Sequence, residues 1–346
     1  LIAEFSGKPY LEVATAAIGP AVLYVFASYM MVHFHAARVG IGIYQSEEDR
    51  PLKRTLMAYG HLVVPIIVLV WMLILRKTAY YAAGVATGSA VLVSALRSET
   101  RLSLKDVISG IETAMYRLVP VGIALICASV AVGSLQTTGT IYRFIAVITR
   151  LTGGHLFLGL VMIAIAVIIM GMGLPISAAF VIVSLFGAPA LMEFGVEPFV
   201  SYMFVFLFAL TSTITPPVCM ASYAAASLSG ASYMQVGFRG FILGIAGYIV
   251  PFLVIYRPAL LVGQASSGTL YAIFISIIGI LALAASVEGY FLSRASTAQR
   301  IVMLLVAASL LWPHQIADAV GVMGFIAVLF WQLASRKRQE AMELRV

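Results

Sequence analysis

The chain has 346 residues, of which 62% are hydrophobic and 10% charged, with a mean hydropathy of +1.04. Soluble domains run near 45–50% apolar and about 25% charged, so that class is excluded; apolar runs of roughly 17–25 residues suit membrane helices and lack the alternation of an outer-membrane barrel. A net charge of +7 raises a nucleic-acid partner, but no basic, aromatic-laced module is present, and membrane proteins collect Lys and Arg in cytoplasmic loops.

The opening "LIAEFSGKPY" has no initiator Met, basic segment or small-residue cleavage site. It reads as internal sequence, with the true N-terminus upstream, and not as a signal peptide. Apolar runs then predict membrane helices at about 12–36, 60–75, 79–96 and 107–135, and an amphipathic arm at 138–152. Two interrupted stretches follow: 154–194, broken at "GMGLP", and 198–229, broken at "TITPP" over 213–217. Spans at about 240–256, 269–292, 299–312 and 317–333 complete the chain.

Orientation follows from the basic loops. With the tail "SRKRQ" (335–339) in the cytoplasm, and 154–194 entering and leaving by one face as a re-entrant hairpin, fifteen of the 21 Lys and Arg fall inside and six outside. A single crossing by 154–194 would turn the loops at 38–54 and 97–105 outward. There is also an internal echo: "SGKPYLEV" (6–13) matches "SGASYMQV" (229–236) at Ser, Gly, Tyr and Val. Each copy leads into a proline-bearing apolar helix, with Pro20 in one and Pro251 in the other. The intervening crossings put the copies on opposite faces, as inverted repeats require.

The two breaks are the candidate site. An unpaired backbone group at membrane depth costs several kcal/mol, so an interruption there needs protein or a cavity to satisfy it. In "GMGLP", Gly171 and Gly173 permit a turn and close ligand approach around Met172. Pro175 suits the start of the returning limb, and Ser177 adds a hydroxyl in its first turn. In "LTSTITPPV" (210–218), Pro216 and Pro217 each remove a donor and free the carbonyl four residues back, at Ser212 and Thr213. Thr211, Ser212, Thr213 and Thr215 bring four hydroxyls to the same place. Neutral oxygens without a full charge make a cage for a hard monovalent cation, as at the broken helices of secondary transporters. The plainer reading of one such break is a proline kink satisfied by Ser and Thr; two adjacent breaks, each with small polar residues, favour the cavity.

Other residues carry less. His33 and His35 point to different helix faces and make a poor metal pair, and His61, His155 and His314 sit near helix ends. Glu112 and Arg117 read as an interfacial ion pair, and Glu288 and Asp318 as interfacial residues. Cys127 and Cys219 read as small packing residues, and the aromatic run 202–208 as a lipid-facing or packing surface. No H-E-x-x-H, G-x-S-x-G or Walker A motif is present. The sequence therefore reads as a non-enzyme without cofactor or transition-metal site, whose coupling ion would be a hard monovalent cation.

"GMGLPISAAFVIVSLFGAPALMEFGVEPF" and "LTSTITPPVCMASYAAASLSGA" together resemble the large membrane subunit of TRAP (tripartite ATP-independent periplasmic) transporters. They look most like the fused permease branch with extra C-terminal helices, as do "IAEFSGKPYLEV" and "FRGFILGIAGYIVPFLVIYRPALL". The likeness covers about residues 1–263, and 269–312 more loosely. It implies an all-α polytopic, inverted-repeat elevator fold in the bacterial or archaeal inner membrane. It also implies sodium-driven import of a small organic anion, chiefly a carboxylate, received from a periplasmic binding protein, of TAXI type in the fused branch. Carried over, the resemblance points to Gly171, Met172, Gly173, Pro175, Thr213, Thr215, Pro216 and Pro217 for the sodium site; position alone adds Ser212 to it, and Pro175, Ser177 and Thr211 are read as facing substrate. The chain divides into 1–36, the last helix of an N-terminal repeat; 37–106, scaffold helices and loops; 107–263, the C-terminal repeat; and 264–346, extra helices with a cytoplasmic tail. The first hairpin, the first broken helix and the fused small subunit are expected upstream of residue 1. A passive pore and a non-transporting scaffold or sensor are the rival readings.

Overall fold

The computed structural model describes residues 1–41, 52–98, 100–261 and 267–343. The α-helices are α1 (Ile2–Ser6), α2 (Tyr10–Ala16), α3 (Ile18–Val39), α4 (Leu52–Tyr59), α5 (Val64–Ile74), α6 (Ala79–Ser94), α7 (Leu104–Thr137), α8 (Thr140–Thr152) and α9 (Leu156–Gly171). They continue as α10 (Ile176–Glu193), α11 (Pro198–Ser212), α12 (Met220–Ser229), α13 (Tyr233–Leu243), α14 (Ala246–Tyr256), α15 (Ser267–Glu288), α16 (Thr297–Leu311) and α17 (Gln315–Glu343). Among the described residues six helical stretches are long and apolar enough to cross a membrane, and α6, α9, α11 and α16 are shorter apolar helices. The architecture is that of an all-α polytopic membrane protein.

Two expected spans differ in detail. The run expected at 12–36 begins at Tyr10 and is interrupted at Ala17, and the run expected at 240–256 begins at Tyr233 and is interrupted at Gly244 and Ile245. These departures make the internal echo structural. Gly7 and Gly230 each close a short helix at φ 68, three residues later a helix starts at Tyr10 or Tyr233, and after a second interruption comes the helix carrying Pro20 or Pro251. The expected cytoplasmic cations Arg50 and Arg345 lie outside the described residues, as do the side chains of Lys53, Arg54, Arg117 and 336–338.

The main core joins α9, α10, α11 and α14. Phe180, Phe204 and Phe208 are fully buried, and Phe252 of α14 meets the rings of Phe204 and Phe208 at 5.6 and 5.7 Å, edge to face. The aromatic run 202–208 is therefore largely packing surface: Met203, Phe204, Val205 and Phe208 all point inward. By contrast α7 makes its main contacts with α8 and α10 and leaves most of its surface open. Cys127 on α7 is consequently exposed and not a packing residue, whereas Cys219 is buried. Glu112 on α7 is also exposed. At the foot of α7, Ser103 and Asp106 form a reciprocal capping box. The hydrogen bonds from the Ser103 hydroxyl and amide hold the Asp106 carboxyl below its ordinary value.

The C-terminal helices are fastened to the rest by two carboxylates near helix ends, each buried among its partners. Glu288 is 3% exposed. Its Oε2 lies 2.8 Å from His35 Nδ1 and 3.6 Å from Arg38 Nη2, and Arg38 Nη1 donates to the Glu288 carbonyl at 2.7 Å. Asp318, also 3% exposed, accepts from Arg257 Nη2 at 2.5 Å and from the Tyr271 hydroxyl at 2.9 Å. Both lie at helix termini, as their positions implied, but each is buried because a cation from a distant helix satisfies it. Asp318→Ala strips Arg257 of its buried partner and should cost about 3–5 kcal/mol. Tyr271→Phe removes one hydrogen bond and should cost about 1 kcal/mol. Thermal unfolding of the purified protein in detergent should rank the two in that order; equal melting temperatures would show that the pair does not fasten the helices.

Candidate functional site

The two interruptions meet. α9 ends at Gly171, whose carbonyl accepts from the Leu174 amide at 3.3 Å, while the Met172 amide still reaches back to the Ile168 carbonyl at 3.0 Å. Gly173 turns the chain at φ +76, a left-handed conformation that a side chain resists. Pro175 caps α10 in extended geometry (φ −58, ψ 142), and its carbonyl receives the Ala179 amide at 2.9 Å. Ser177, half-buried, lies in the first turn of α10. The antiparallel pair so formed presents its turn to the end of α11. A Cβ placed on Gly171 would lie 2.6 Å from Ser212 Oγ and 3.0 Å from Ser212 Cβ, and one on Gly173 would lie 3.1 Å from Val218 Cγ1. Glycine at 171 is thus required by the approach of Ser212.

Between α11 and α12 the chain runs without regular helix from Thr213 to Cys219, with a cis bond between Pro216 and Pro217. Thr211, Ser212 and Thr215 are buried, Thr213 and Pro216 half-buried and Pro217 exposed. The carbonyls expected to be freed at Ser212 and Thr213 have found other donors. Ser212 O accepts from the Thr215 amide at 3.3 Å in a tighter turn, and Thr213 O from the Ala221 amide, beyond the break, at 3.2 Å. The physical reason is that buried carbonyls seek any available N–H once proline has removed the regular one. The hydroxyls of Thr211, Ser212 and Thr213 donate to the carbonyls of Phe208, Ala209 and Leu210 at 2.9, 2.8 and 2.7 Å. A hydroxyl oxygen that donates its proton keeps lone pairs, and a carbonyl that accepts once keeps one more. The break therefore remains a cluster of neutral acceptors: the carbonyls of Gly171, Ser212 and Thr213, with the Ser212 and Thr215 hydroxyls. Among the described residues no three His, Cys, Asp or Glu side chains converge.

Two tyrosines that sequence reasoning missed flank this cluster. Tyr248 of α14 places its hydroxyl 2.7 Å from Thr215 Oγ1, which itself donates to the Thr211 carbonyl at 2.7 Å. Tyr233 of α13 donates to the Pro217 carbonyl at 2.5 Å and accepts the Cys219 amide at 3.1 Å. The available signal was the phenol itself, since a tyrosine inside an apolar helix needs a partner for its hydroxyl. Beside the break lies a mainly apolar cavity of about 340 Å³, whose lining includes Pro20, Tyr24, Ile176, Thr213 and Pro251. Both prolines of the internal echo thus face one space, next to the turn of α9–α10 and the end of α11.

Gly171→Ala should force the two breaks apart, at a cost typical of overpacking, about 1–3 kcal/mol. Adding Ser212→Gly, which removes both atoms in the way, should recover most of the loss in melting temperature. No recovery would mean that the contact with Ser212 is not what selects glycine.

Residues 1–269 match the family described as the tripartite ATP-independent periplasmic transporter, DctM component. Comparisons with curated proteins and with solved structures give no match. The match spans most of the chain, including both breaks and both copies of the echo. The chain therefore belongs to the DctM family, the large membrane permease component of tripartite ATP-independent periplasmic transporters.

Proposed function

We propose that this permease is a sodium-coupled importer of a small organic carboxylate, delivered by a periplasmic binding protein of the TAXI type. The observation that carries the reading is the contact between Gly171 and Ser212, which joins two helix breaks into one buried cluster of uncharged oxygens. Carbonyl and hydroxyl oxygens with no carboxylate among them suit a monovalent hard cation, and unwound backbone at helix breaks is where secondary transporters hold coupling ions. Gly171, Met172, Gly173, Ser212, Thr213, Thr215, Pro216 and Pro217 make up the sodium site. Pro175, Ser177 and Thr211 lie on the substrate side, where the amides opening α10 carry the positive end of a helix dipole suited to a carboxylate. Sodium draws the two breaks together, so that the loaded body crosses the membrane, elevator-fashion, without exposing backbone to lipid. The permease sits in the inner membrane with its basic tail in the cytoplasm, and the small subunit is fused upstream of this chain.

The test is uptake of labelled organic acids into proteoliposomes holding the complete permease, with the binding protein outside and a sodium or an equal potassium gradient. Accumulation that needs both sodium and the binding protein supports the proposal; flux that needs neither makes the protein a pore. Thr215→Ala removes one cage oxygen, worth about 1–3 kcal/mol, and should weaken sodium-dependent uptake about tenfold. Unchanged sodium dependence would remove Thr215 from the site.

A further inference from the structure

We propose that Tyr248 is the positioning residue of the cation site: its phenol fixes the Thr215 hydroxyl so that one lone pair of that oxygen is left for the ion. This rests on the sodium-site reading above and deepens it. The proton arrangement follows from counting. Thr215 Oγ1 is 2.7 Å from the Thr211 carbonyl, which can only accept, so the Thr215 proton goes there. The 2.7 Å contact between Thr215 Oγ1 and the Tyr248 hydroxyl is then made by the Tyr248 proton. Thr215 Oγ1 thus has its proton and one lone pair committed in two directions, and one lone pair left. The Thr211 carbonyl also accepts the Ile214 amide at 3.1 Å and lies 3.4 Å from the Tyr248 hydroxyl, so the phenol's shorter contact is the one to Thr215. The hydroxyl cannot rotate without breaking one of these bonds.

The phenol is itself held. Phe241 lies against the Tyr248 ring at 4.9 Å between centroids. Gly247 admits Thr211 so closely that a Cβ there would come within 2.7 Å of Thr211 Cγ2. α14 therefore delivers a rigid donor to the break from a different part of the fold. A residue that orients a ligand through its second hydrogen bond typically changes ion affinity about 10–100-fold when removed. Thr215 needs this support because its own backbone is outside any helix.

The experiment is a double-mutant cycle on the complete permease, reading the sodium concentration that half-saturates both thermal stabilisation and uptake. Tyr248→Phe should raise that concentration about tenfold, at the low end expected for an orienting partner. In the Thr215→Ala background the same change should do little more, within about twofold, because the oxygen it orients is already gone. Melting in potassium alone separates loss of fold from loss of the ion. Thr215→Ser, which keeps the oxygen under the phenol, should stay within about threefold of the parent. Multiplicative losses in the cycle, an unchanged Tyr248→Phe, or a Thr215→Ser as weak as Thr215→Ala would each overturn the proposal while leaving sodium coupling intact. A parent protein that sodium neither stabilises nor drives would overturn the sodium-site reading itself, and this proposal with it.

Discussion

The constraint on which this structure turns is that no backbone amide or carbonyl can be left unpaired in hydrocarbon. A continuous helix meets it locally. Here two neighbouring segments give it up, α9–α10 at residues 172–175 and α11–α12 at residues 213–219, and everything around them restores what they lose. The restoring bonds come from several sources: tight turns at Gly171 and Ser212, the Ala221 amide beyond the break, hydroxyls reaching back to the preceding turn, and two phenols from α13 and α14. The aromatic packing of Phe204, Phe208 and Phe252 then holds α11 against α14, which keeps those phenols in reach.

The second layer of organisation is the pairing of α3 with α14. Both helices carry the proline of an internal echo and both follow an interrupted lead-in; α3 packs against both α14 and α15, and one apolar cluster gathers Leu23, Ala27, Val250 and Ile280. The C-terminal helices are therefore not an appendage. They close on the α3–α14 pair, with Glu288 and Asp318 as the polar anchors.

Much of this was legible in the residues, and what was not has a common cause. The helical content, the turns at "GMGLP" and "TITPP" and the echo are local features, set by glycine, proline and apolar runs, and the structure has helices and breaks where they imply them. What escaped depends on partners that no helical spacing points to. Proline removes the regular donors of the Ser212 and Thr213 carbonyls; the replacements are the Thr215 amide in a tighter turn and the Ala221 amide across the break. The burial of Glu288 and Asp318 is not readable locally, because their partners, His35 on α3 and Arg257 just past α14, lie elsewhere in the chain. Tyr248 gave no spacing signal toward Thr215, since a contact across 33 positions has no period to read.

The Glu288 contact also has a consequence for biogenesis. His35 and Glu288 are 253 positions apart. At synthesis rates of about 5–20 residues per second, α3 waits roughly 13–50 s in the membrane before its counter-charge is made. Until then His35 and Arg38 stay near the water interface, where their position at the end of α3 keeps them. Completion of α15 and its docking is what sets Glu288 against them. The helices from α15 onward are thus a late-arriving seal on a helix made 253 positions earlier, and a ribosome that stalls before residue 288 leaves that helix end hydrated.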